Sequence, residues 1–129
     1  MKALRVFRHR VVTAVILLLF GVVFPACSKK ESLALDTASF NSAPPDLREK
    51  WQAAAQYASG NNYLGAATNL IDIFSKSQQL TPEQNDALNQ AWMKLGNLAF
   101  AAANAGDKGA TEAVLKMKDT GIGEKRGQR

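Results

Sequence analysis

Hydrophobic positions fall into three regimes along the chain. From Val11 to Phe24 nearly every residue is apolar, and only Thr13 and Gly21 interrupt. Residues 28–45 (SKKESLALDTASFNSAPP) are dominated by small and polar side chains, and no apolar period persists. From Asp46 onward apolar residues recur three and four apart, the spacing of one face of an α-helix.

This third regime predicts four helices within residues 46–119. In the first, about 47–59, Leu47, Trp51, Ala54, Ala55 and Ala58 form the apolar face. Asp46 is the expected cap, with Glu49 three residues on as its partner, and Gly60 is the expected left-handed stop. Asn62 caps the second helix, whose face of Tyr63, Ala66, Ala67, Leu70, Ile71, Ile73 and Phe74 predicts the most buried element. It fades through Lys76-Ser77-Gln78-Gln79. Thr81-Pro82-Glu83-Gln84 opens the third helix: Thr81 caps, Pro82 takes the first helical position and Gln84 completes a capping box. Leu88, Trp92, Leu95, Ala99 and Ala102 run along this helix to about Ala105. The fourth starts near Asp107 or Lys108 and ends at about Asp119, with Ala110, Ala113, Val114 and Met117 inward. Lys116 and Lys118 suit its negative end. Loops of a few residues force consecutive helices antiparallel, so the expected fold is all-α, two helical hairpins. Residues 120–129 (TGIGEKRGQR) read as a disordered basic tail. Residues 28–45 read as a flexible linker with a root-mean-square span of roughly 20–25 Å.

The first regime has a different meaning. Lys2, Arg5, Arg8 and Arg10 precede the apolar run, and the small residue Ala26 closes it. A basic start, an apolar stretch and a small boundary residue predict an export signal. Positive charge stays on the cytoplasmic side, and the run is shorter than the ~20 residues of a spanning helix. Phe24-Pro25-Ala26-Cys27 at its end resembles the lipobox of bacterial lipoprotein signal peptides. The resemblance implies a signal peptide over 1–26 and acylation of Cys27 as the first mature residue. Ser28, rather than Asp, then favours the outer membrane. Two other readings of these residues are cleavage after Ser28 and an uncleaved anchor.

The helical regime carries a weak internal echo. Trp51-x2-Ala54-Ala55-x2-Ala58 is answered by Trp92-x2-Leu95-Gly96-x2-Ala99. Trp92, Leu95 and Gly96, with Ala66-x3-Leu70 in the second helix, resemble the tetratricopeptide repeat over roughly residues 48–118. That resemblance implies stacked helical hairpins and assigns no peptide-binding residue.

Composition refines this picture chiefly through charge. The 129 residues carry 16 Lys and Arg against 11 Asp and Glu, a net charge of +5. Four of the basic residues and none of the acids lie in 1–26, so the remainder is 12 against 11. No helix bears a basic stripe interleaved with aromatics, so nucleic acid is not an expected partner. His9 is the only His and Cys27 the only Cys. A mature chain then has neither His-based nucleophilic machinery nor a common zinc site, and no catalytic residue, metal ligand or cofactor is predicted. Asp46 and Lys50, Asp72 and Lys76, and Glu112 and Lys116 stand four apart, the acid-first spacing that stabilises a helix surface.

One stripe resists absorption into the core. Met93, Gly96 and Phe100 lie beside the main apolar face of the third helix, bordered by Asn89, Asn97 and Asn104. Either the fourth helix covers them or they form a partner surface. The expectation is a lipid-anchored envelope protein whose helices bind another envelope protein or a second copy. The alternative is a carrier of a small apolar ligand or lipid, with a cleft lined by Trp51, Phe74 and Trp92. A hydrolytic accessory enzyme is disfavoured by the missing His.

Overall fold

The computed structural model describes residues 32–122. The export signal of 1–26, Cys27 and residues 123–129 of the basic tail lie outside the described residues. The protein is all-α, and among the described residues no β-strand occurs. Its helices are α1 (Pro45–Ser59), α2 (Tyr63–Phe74), α3 (Pro82–Asn104) and α4 (Lys108–Asp119). Short 3-10 turns lie at Ala38–Phe40 and Ser77–Gln79. α1 pairs with α2 and α3 pairs with α4, giving two helical hairpins. α2 also packs against α3 and α4, so it is the element the others share.

Local chemistry sets most helix ends. Asn62 caps α2, its Oδ1 accepting from the Gly65 N–H at 2.9 Å. At α3 the capping box is complete: Gln84 N–H donates to Thr81 Oγ1 at 3.3 Å, and Thr81 N–H donates to Gln84 Oε1 at 3.1 Å. Asp107 caps α4 through the Ala110 N–H at 3.0 Å. Each satisfies an amide that the first turn of a helix leaves without a partner.

Two expected ends differ. α1 begins at Pro45 and has no side-chain cap; Asp46 lies inside the first turn and turns to Lys76 instead. Pro44 and Pro45 make a cap less necessary, because Pro45 has no N–H to satisfy. At the far end Gly60 keeps a φ of −87° and Asn61 takes the left-handed conformation, with φ 57°. Asn61 N–H donates to Ala58 O and Asn62 N–H to Tyr57 O, at 3.1 and 2.8 Å, which is the bond pattern of a Schellman turn. Asn tolerates this region better than most side chains. The same turn ends α3 at Gly106, with φ 93°.

The largest departure lies before α1. The segment expected to be a flexible linker is packed from Leu33 onward. Leu33, Phe40 and Ala43 are buried, and Phe40 is 0% exposed. Its ring stacks on Trp51 with centroids 4.1 Å apart and planes 11° from parallel. Trp51 Nε1–H donates to the Asp36 carbonyl at 2.9 Å. Gln84, itself buried, donates through Nε2 to Ser42 Oγ at 3.1 Å, tying this strap to the start of α3. No periodicity announced the strap because it is not a helix: isolated apolar residues dock separately into space left beside α1 and α3. The packed domain therefore includes the segment from Leu33 and does not start at Asp46. At its other end Ile122 packs against the core, so residues 120–122 belong to the domain and not to the tail.

Small residues allow close contacts. Ala66 and Ala67 on α2, Ala99 on α3, and Ala110 and Ala113 on α4 are all 0% exposed. At Gly65 a Cβ would stand 2.7 Å from Tyr57 Cγ and 2.8 Å from Cδ1. Gly65→Ala should therefore lower the urea midpoint. Overpacking costs typically ~1–3 kcal/mol, more than the ~1 kcal/mol that alanine gains in helix propensity. In a Tyr57→Ala background the same substitution should be neutral or stabilising. Equal losses in both backgrounds would show that the ring contact is not the cause.

Candidate functional site

The structure divides the Met93–Gly96–Phe100 stripe. Gly96 is half-buried under α4, where an added Cβ would meet Met117 Cε at 3.4 Å. Met93 and Phe100 remain open, 68% and 59% exposed. They stand three residues before and four after Gly96, so helical geometry places both on the stripe that Met117 crosses. The outcome is a shallow apolar surface on α3 edged by the half-buried Met117 of α4. Asn97 and Asn104 are exposed on the same side. Asn89 is half-buried, and its Oδ1 is buried with no hydrogen-bond partner among the described residues. Methionine is unbranched and polarizable, which suits it to contacts of variable shape.

Of the aromatic residues that a ligand cleft would use, Trp51 and Trp92 are buried and Phe74 is half-buried against the core. Trp51 is 1% exposed and lies under Phe40. Trp92 is 8% exposed and meets the Phe74 ring edge-on, with centroids 5.3 Å apart. An open groove of about 390 Å³ runs between the strap and α3, with Trp51 in its lining but neither Phe74 nor Trp92. Its charged walls are Asp36, Glu83, Asp86 and Lys94. The Glu83 carboxyl is held below its ordinary range by its own backbone N–H, with a further hydrogen bond from the Thr81 hydroxyl. The start of α3 thus accounts for the lowered Glu83 carboxyl. Among the described residues no group of three or more His, Cys, Asp or Glu side chains could hold a metal ion.

Charge pairing on the first hairpin is rearranged from the spacing seen in sequence. Lys50 Nζ meets Asp72 Oδ2 at 2.9 Å, and Lys76 Nζ meets Asp46 Oδ2 at 2.6 Å. The acids thus exchange partners across the α1–α2 interface rather than pairing along their own helices. An antiparallel hairpin causes this, because it brings the start of α1 beside the end of α2. All four side chains are about half exposed, so the cluster reads as a solvated edge of the hairpin.

The two pairs give the domain a predictable pH profile. The hydrogen bond from Lys76 holds Asp46 below its ordinary 3.8, and the hydrogen bond to Asp72 holds Lys50 above its ordinary 10.5. Stability from Asp46 is present above 3.8 and is lost as pH falls through its lower folded value. Stability from Lys50 is present below 10.5 and is lost as pH rises through its higher folded value. Between these limits the two pairs contribute a constant amount to the urea midpoint. Asp46→Asn should flatten part of the acid decline, and Lys50→Gln part of the alkaline one. Each effect should shrink in high salt. An unchanged profile in both variants would show that the pairs do not persist in solution.

These features define the class of the molecule, an all-α domain of two helical hairpins with a packed N-terminal strap. Comparison with protein-family models, curated proteins and solved structures finds no match to the chain.

Proposed function

We propose that this chain is an exported, lipid-anchored envelope protein whose helical domain is a non-catalytic protein-interaction module. The observation that carries the reading is the open pair Met93 and Phe100 beside Met117, in a domain that buries both of its tryptophans. Exposed apolar residues grouped on one helix are a feature of contact surfaces, whereas single ones are ordinary. The anchor rests on the sequence alone, on the basic start, the apolar run and Cys27. In sequence, the buried Leu33 follows Cys27 by six residues. Confinement at a membrane raises the local concentration of both partners, so a small surface suffices. The similarity to tetratricopeptide hairpins agrees with this role and adds no binding residue to it.

Membrane-impermeant crosslinking of intact cells tests the proposal. The wild type should be recovered bound to one specific envelope protein or to itself. Met93→Asp with Phe100→Asp should lose that product while the helical circular dichroism stays unchanged. In the same cells an alkyne fatty acid should label the wild type and not Cys27→Ser. Recovery of monomer alone would overturn the interaction reading. Label surviving in Cys27→Ser would overturn the anchor.

A further inference from the structure

We draw no further inference here: the strongest candidate, the exposed Met93–Phe100 stripe on α3 beside Met117 of α4, belongs to the surface already described, and nothing in the structure shows which occupant covers it.

Discussion

Phe40→Ala should destabilise the domain by about 3–5 kcal/mol, the usual cost of emptying a buried phenylalanine site. Phe40 is 0% exposed and stacks on a tryptophan that is itself 1% exposed. The substitution removes the apolar area and leaves Trp51 facing a cavity. It also removes the stacking, a contribution of about 0.5–1.5 kcal/mol beyond area for aromatic pairs. The Trp51–Asp36 hydrogen bond then loses the packing that holds the strap in register. Small domains have total stabilities toward the lower end of about 5–15 kcal/mol, so such a loss approaches the whole. Thermal unfolding should drop by well over 10 °C, since each kcal/mol moves a domain of this size by roughly 4–8 °C. Phe40→Leu should retain much of the stability. If residues 33–43 were instead a solvated linker, Phe40→Ala would stay within about 0.5 kcal/mol of wild type. That outcome would refute the packed strap.

Leu70→Ala should cost about 2–5 kcal/mol, the range for a buried leucine. Leu70 is 0% exposed on α2, the helix that touches all three others. The cavity cannot close cheaply there, because moving α2 toward one neighbour opens a gap at another. Leu115→Ala is the natural control, since Leu115 on α4 is 56% exposed. It should fall within about 0.5 kcal/mol of wild type, as surface substitutions do. Equilibrium urea unfolding followed by tryptophan fluorescence reads both. Similar losses at the two leucines would mean that α2 is not the centre of the packing.

Thr81, Pro82 and Gln84 marked the start of α3 because a capping box is made by residues three apart, without help from the rest of the fold. Asn62 was legible for the same reason, whereas near Asp107 only the start of α4 was expected and its side-chain cap was not. Gly60 misled because glycine and asparagine both serve at a left-handed stop, and the choice depends on where the hairpin must turn. Phe40 lies in a stretch rich in Ser and Ala. Its signal was a lone aromatic after Leu33 and Leu35, with neither helical nor strand spacing to support it. Lys50 and Lys76 each stand four residues after an acid in sequence, whereas the carboxylates they meet, Asp72 and Asp46, lie across the hairpin.

The candidate surface was legible to the same degree. Helical spacing placed Met93, Gly96 and Phe100 on one stripe, but spacing alone does not say how far a neighbouring helix reaches. α4 settled the matter by laying Met117 over Gly96 and leaving both flanking side chains open. The sequence by itself therefore determined what is local: the four α-helices, the caps of α2 and α3 and the inward faces. Hydrogen bonds and side-chain periodicity within a few residues suffice for those. Only the tertiary structure decided the packed strap, the exchange of ion-pair partners and the exposed part of the α3 stripe. Each depends on which surfaces meet across long separations in the chain, and no local spacing encodes that.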